Sequence, residues 1–375
     1  MIKRRLKMIA SITGGLILFT ALSGVVFVNF SPELGAKPNI KQTENKVKTS
    51  LYKDGKFFNQ EPTKTSFSLK DTWGFLKKKF SNKAIVTPNQ TIEVVKLDKG
   101  MFSPKSDNLQ RITWLGHSTV LIEIDGKTII TDPMFSESPS PVPGLVGKRF
   151  AENMPIEIQD LPKVDIVLLS HDHYDHLDRK SIHELDKKTT KFIMPLGVDA
   201  HLIKWGINPN KIEVLDWSQS TKIENIDFIC TPSQHFSGRG LKSCNTLWCS
   251  WVIDTPSAKL FFSGDSGYGA HFKKIGEQYG PFDLALMECG QYDESFADIH
   301  MMPEQSVQAS IDIKTKLMLP IHWGAFALSL HDWNEPIIRA KKQAHSLDLK
   351  LTTPRIGESL YLNTPDVPND TWWRN

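Results

Sequence analysis

Between residues 171 and 178 the chain reads HDHYDHLD, which places His171, His173, Asp175 and His176 within six positions. In an extended segment, residues two apart project to the same side, so His171 and His173 can grip one ion. Asp175 and His176 begin the following turn and can reach a second. Imidazole nitrogen and carboxylate oxygen are ligands that zinc takes readily. Three more candidates each follow a stretch that reads as a strand: His235 in TPSQH, Asp265 in FFSGD and His322 in MLPIHWG. Alone, His235 or His322 would be read as a structural residue. As a set they complete a binuclear site, with His171, His173 and His235 on one ion, Asp175, His176 and His322 on the other, and Asp265 bridging. The expected cofactor is two Zn2+ per chain, with iron or manganese as substitutes. Two ions roughly 3.5–4 Å apart would share a hydroxide and clamp a transferring phosphoryl group. Bound water is acidified towards a pKa of ~7, so the nucleophile needs no protein base.

These residues need sheets to carry them. Residues 111–114, 119–124 and 127–131 are short β-branched runs, the last two joined at Asp125-Gly126, a hairpin signal. Residues 165–170 form an apolar strand leading into the histidine cluster, and further strands are expected at 191–194, 226–231, 247–254, 260–263, 284–287 and 316–320. Helical stretches fit 181–185, 199–205, 270–278 and 303–313. The fold class is α+β, a sandwich of sheets covered by helices. Residues 136–147, rich in Pro, Ser and Gly, must be a loop.

HxHxDH with later His, Asp and His at strand ends resembles the metallo-β-lactamase superfamily, and more closely its N-acylphosphatidylethanolamine-hydrolysing phospholipase D branch. The stretches that carry the resemblance include TWLGHSTVLIEIDGKTIITDPMFS, HDHYDHLD, TPSQHFSGR, FFSGDSGYG and IHWGAFALSLHDWNEP, within residues 108–345. The resemblance implies a four-layer αββα sandwich and the seven ligands above. It implies that Asp132 supports the metal loop and that His300 lies near the active site, where it or a metal-held water would protonate the leaving group. Asp132 and Asp172 would orient ligand imidazoles from behind, with ordinary loop hydrogen bonding as the alternative for Asp172, which stands where mammalian-type members have Asn. The activity implied is hydrolysis of a phospholipid or another phosphodiester. The alternatives are a lactonase or amidase of the same fold and a non-catalytic membrane-associated binding protein.

The formal charge of +3 comes from 45 basic and 42 acidic side chains, unevenly placed. Residues 1–30 carry four bases and no acid, residues 31–83 carry 12 bases and 5 acids, and the remainder carries 29 bases and 37 acids. An acidic body is the wrong sign for nucleic acid. Residues 8–28 form 21 positions without a charge, the length of a spanning helix rather than of a signal peptide's apolar core. The basic flank would stay cytoplasmic and send the body outward. The reading is a single-pass signal anchor in the cell membrane with an extracytoplasmic catalytic domain. A cleaved signal peptide, with Leu34-Gly35-Ala36 as a weak cleavage site, and a buried helix are the alternatives. Three regions follow: the anchor (1–30), a basic tether with an amphipathic lead-in (31–107) and the hydrolase domain (108–375). In the lead-in, Leu69, Trp73, Leu76 and Phe80 share one helical face, which would pack on the domain or lie on lipid.

Other residues carry weaker signals. His117, between Gly116 and Ser118, fits either a site role or packing at a turn. Cys244 and Cys249 could pair outside the cell, whereas Cys230 and Cys289 read as buried. Trp248, Trp251 and Trp323 read as core, with those near His322 as alternative lining of an acyl groove. The oligomeric state is open, a homodimer included.

Overall fold

The computed structural model describes residues 13–374, except residues 14, 16–18, 21, 50, 66–67, 82, 103–107, 143, 145–146 and 241. A short hairpin, β1 (Tyr52–Lys53) with β2 (Lys56–Phe57), precedes the body and sends Phe57 into the core. Then come β3 (Gln110–Gly116), β4 (Thr119–Ile124), β5 (Lys127–Thr131), β6 (Val164–Leu168), β7 (Thr189–Pro195) and β8 (Ile212–Leu215). A second series follows: β9 (Ser220–Ile223), β10 (Ile226–Thr231), β11 (Ser250–Asp254), β12 (Lys259–Phe262), β13 (Leu284–Glu288) and β14 (Met318–Ile321). Finally β15 (Ser359–Tyr361) returns beside β3.

The strands make a seven-stranded sheet, ordered β15-β3-β4-β5-β6-β7-β8, and a six-stranded sheet, ordered β14-β13-β12-β11-β10-β9. Both follow one plan. An antiparallel meander comes first, β3 to β5 in one sheet and β9 to β12 in the other. Parallel strands then continue it, β5 to β8 and β12 to β14. Parallel neighbours need a crossover, and helices Arg179–Asp186, Asp199–Lys204, Ala270–Gln278 and Pro303–Asp312 supply four of them. Alternation along the strands explains the layers. Ile112, Ile122, Ile166 and Leu168 join the core shared with the second sheet, while Leu121, Ile130 and Val167 pack with Ile182, Leu185 and Leu202 of the outer helices.

Five strands lie outside the expected set: the hairpin β1–β2 and the strands β8, β9 and β15. So does helix Glu335–Ser346, although Asn334-Glu335-Pro336 is a helix-start signal. All four cysteines are free and buried, so the Cys244–Cys249 pairing is not formed; Cys249 Sγ instead faces the Ser170 carbonyl at 3.6 Å. Trp323 is buried, stacked on Trp114 with centroids 5.4 Å apart, and belongs to the core rather than to an acyl groove. The lead-in helix forms over Leu69–Ser81, yet Trp73 and Phe80 are 73% and 88% exposed. The expected membrane-spanning segment falls partly outside the described residues. Among those described, no helix is long and apolar enough to cross a membrane.

Candidate metal centre

One edge of the sandwich gathers the chemistry, because strands of both sheets end there: β5 before Asp132, β6 before His171, β10 before His235, β12 before Asp265, and β14 before His322. Sites in open sheets form outside the carboxyl ends of strands for this reason. The loop after β6 is fixed by Asp178, which caps helix Arg179–Asp186 by accepting the Ser181 amide. Three non-glycine residues here, His117, Asp132 and His322, hold φ of +53°, +32° and +68°, a conformation that persists only where the surroundings enforce it. Gly264 is at +55°, and a Cβ there would stand 2.6 Å from that of Ser170, so the turn into Asp265 requires glycine.

The structure brings all seven sequence-derived ligand candidates together, in two groups. In the first, His171 Nε2 and His173 Nδ1 are 2.9 Å apart and His235 Nε2 is 3.2 Å from His173 Nδ1. Ligand nitrogens ~2.0–2.1 Å from a tetrahedral ion stand about 3.3 Å apart, close to this spacing. The second group contains Asp175, His176, His322 and, in addition, His117, whose Nε2 is 2.8 Å from Asp175 Oδ2. Asp265 touches both groups. Its Oδ2 is 3.1 Å from His176 Nε2, 3.8 Å from His235 Nε2 and 3.9 Å from His171 Nε2, and its Oδ1 is 3.3 Å from His322 Nδ1.

His176 Nε2, Asp265 Oδ1 and His117 Nδ1 are buried without a hydrogen-bond partner. Buried polar atoms left in that state are costly. A divalent cation among neutral imidazoles and carboxylates removes the cost, and this donor set suits one of the zinc type. Burial, reinforced by the neighbouring imidazoles, holds His171, His235 and His322 well below the usual histidine pKa, in the neutral ligating form. Burial also lifts Asp265, to about 6, against the pull of His176. His176 is the exception: burial opposes its charge, but Asp265, Asp175 and Asp132 outweigh it and hold its pKa well above the usual value.

Behind the cluster, the outward ring nitrogens are engaged. Asp132 Oδ2 is 2.7 Å from His176 Nδ1, and His235 Nδ1 is 2.9 Å from the Ile299 carbonyl. Asp172 does not orient a ligand imidazole. Its carboxylate faces His201, the Gly238 amide and Thr246, and so pins the loop from outside. His300 reaches the cluster, its ring stacked on His322 with centroids 5.5 Å apart. Its Nδ1 is hydrogen-bonded to Glu288 Oε1, while Glu288 Oε2 accepts the Ser266 amide at 2.8 Å. Burial raises the Glu288 carboxyl well above its ordinary pKa. The sequence reading did not include Glu288, because it ends an apolar strand, and left His117 between two roles.

The beta-lactamase superfamily domain matches residues 127–323. An uncharacterized protein of Mycobacterium tuberculosis is 34% identical over 388 residues, covering all of both chains. An N-acyl-phosphatidylethanolamine-hydrolyzing phospholipase D of Caenorhabditis elegans is 30% identical over 269 residues, 68% of this chain and 73% of that one. Among solved structures, a metallo hydrolase of the archaeon Ignicoccus hospitalis shares the fold, with a TM-score of 0.51 at 20% identity over 67% of this chain and 97% of that chain.

Proposed function

The chain belongs to the beta-lactamase superfamily, and from that membership we propose that it is a metal-dependent hydrolase of phospholipase D type. Its substrate is a phosphodiester, N-acylphosphatidylethanolamine or a related phospholipid, and its cofactor is two zinc ions. The observation that carries this reading is Asp265 touching both ligand groups, as a bridging carboxylate should. The name of the Caenorhabditis elegans relative supports the substrate class.

When bound, a pair of divalent ions supplies an activated water at neutral pH and positive charge for phosphoryl oxygens. The chain's own residues do the rest. His171, His173 and His235 hold one position, and Asp175, His176, His322 and His117 hold the other, with Asp265 between. Asp132 fixes the ring of His176. His300, with Nδ1 facing a Glu288 carboxyl that burial favours in its protonated form, has Nε2 left to meet the departing alcohol oxygen and give it a proton, which Glu288 replaces at Nδ1.

The same proposal places the enzyme on a membrane, anchored by residues 8–28 with its body on the extracytoplasmic side. In helix Leu69–Ser81, Trp73 and Phe80 are exposed among Lys70, Lys77 and Lys79, the composition of a surface-lying helix. Phe75 of that helix meets Phe296, and Phe296 meets His300, so a lipid under the helix lies beside the site. The test is to incubate the zinc-loaded chain with N-acylphosphatidylethanolamine and, separately, with a panel of lactones. Release of phosphatidic acid that a chelator abolishes is expected. Turnover of lactones alone, or none by fully metallated protein, overturns the phosphodiesterase reading.

A further inference from the structure

A strap beginning at residue 31 is bound to the outer wall of the metal loop. The Pro32 carbonyl accepts from Trp205 Nε1 at 2.8 Å, the Glu33 carbonyl from Arg239 Nε at 3.0 Å, and the Gly35 carbonyl from Lys204 Nζ at 2.5 Å. The Ala36 amide donates to His201 Nδ1 at 2.9 Å. Gly35 lies so close that a Cβ on it would stand 2.0 Å from that same nitrogen. The wall is the back of the site: His201 Nε2 is 3.0 Å from Asp172 Oδ2, and Arg239 donates to the Asp172 carbonyl at 2.9 Å.

Between the strap, the helical residues 24–29 and this wall runs a groove of about 870 Å³, within the ~300–1,000 Å³ of small-molecule sites. Val25, Val28 and Leu34 give it an apolar side, with Val25 58% exposed. Lys37, Lys204 and Lys242 line it as well, and no carboxylate does so among the described residues. Arg239 also lines it, with its Nε and Nη1 donating to the carbonyls of Glu33, Asp172 and Leu177. Three ammonium groups on one cavity repel one another unless an anion enters, and the adjoining apolar side is open to hydrocarbon. The two features together select an amphiphilic anion. Basic pockets at the foot of a membrane segment take anionic lipid headgroups for this reason.

We propose that the groove is a binding site for an anionic phospholipid, separate from the metal centre. The lipid phosphate rests on Lys37, Lys204 and Lys242, and its chain runs along Val25, Val28 and Leu34. That this lipid comes from the chain's own bilayer rests on the anchor reading above; the site itself does not depend on phosphodiesterase activity.

The experiment uses the full chain in nonionic detergent, titrated with dioctanoyl phosphatidylglycerol and followed by native mass spectrometry. Saturable retention of one lipid is expected, with dioctanoyl phosphatidylcholine and inorganic phosphate at least tenfold weaker. The double variant Lys37→Glu/Lys242→Glu is expected to lose at least tenfold in affinity, and Lys37→Arg/Lys242→Arg to keep it. Both pairs lie outside the catalytic machinery, so folding and metal content serve as controls. Equal retention of the zwitterionic lipid overturns the proposal. So does undiminished binding by the Glu variant, which places the lipid elsewhere. Flotation with liposomes tests the anchor on its own: a chain that binds the lipid through these lysines but does not float keeps the groove and loses the anchor.

Discussion

Oδ2 of Asp132 and Nδ1 of His176 lie 2.7 Å apart, and the same carboxylate accepts both the amide of Ser170, at 2.7 Å, and its hydroxyl, at 2.5 Å. The Ser170 hydroxyl in turn stands 2.9 Å from His171 Nδ1. One buried carboxylate therefore sets the rings of two ligand candidates, one in each group. Carboxylates in this position typically contribute ~10–100-fold to metal affinity. Asp132→Asn is expected to lose metal by about that factor in competition with a fluorescent chelator, while the circular dichroism of the fold is retained.

His117 is held at the β3–β4 turn with φ of +53°, one ring nitrogen on Asp175 and the other buried without a partner. If it helps to hold a metal, His117→Ala should reduce bound metal as His322→Ala does. His173→Ala should empty the other position instead. Metal analysis of the three variants after gel filtration decides this. Full metal content in His117→Ala would reassign His117 to packing.

Among the described residues, the titratable side chain that Glu288 meets within hydrogen-bond reach is His300. Removing it by Glu288→Ala frees the His300 ring. The expected result is a fall in kcat of about 10²–10⁴-fold, the usual span for general acid catalysis, with KM and metal content little changed. A p-nitrophenyl phosphodiester, whose leaving group needs no proton, should be hit far less. Equal losses on both substrates would reduce Glu288 to a structural role.

His271 is buried beside Phe272, and burial, aided by Lys274, lowers its pKa to about 3 from an ordinary 6.5. The folded state thus binds fewer protons than the unfolded one. Its contribution to stability is whole above about pH 6.5 and drains away as pH falls towards 3, at up to about 1.4 kcal/mol per pH unit. His271→Gln, which can still meet Ser266, should flatten the fall of Tm between pH 6.5 and 4. A parallel fall in both proteins would place the acid lability elsewhere.

The ligand cluster was legible because a strand and a turn bring His171, His173, Asp175 and His176 together locally, and because His235, Asp265 and His322 each follow a strongly apolar strand. Glu288 was not, because LALME reads as a buried strand in which a terminal carboxylate looks like an end signal. Only the parallel pairing of β12 with β13 carries it beside Asp265 and Ser266. His117 was visible but ambiguous, since a histidine at a β-turn is usually solvated. The packing of that turn against β14, where the His322 amide donates to the His117 carbonyl at 3.0 Å, is a long-range contact that no local pattern announces. The edge strands β8, β9 and β15 are short and half-polar, so their pairing depends on neighbours rather than on their own residues.

The two sheets share one plan, yet neither carries a complete set of ligands. The first contributes the turn at His117, Asp132 and the loop from His171 to His176, and the second contributes His235, Asp265 and His322. An ion held here is a rivet across the seam between two half-domains. Whatever binds the assembled molecule but not the separated halves stabilises the join in proportion to its concentration over Kd. Chelation therefore does more than silence a reaction: it loosens the clasp by which one half of the chain keeps the other closed.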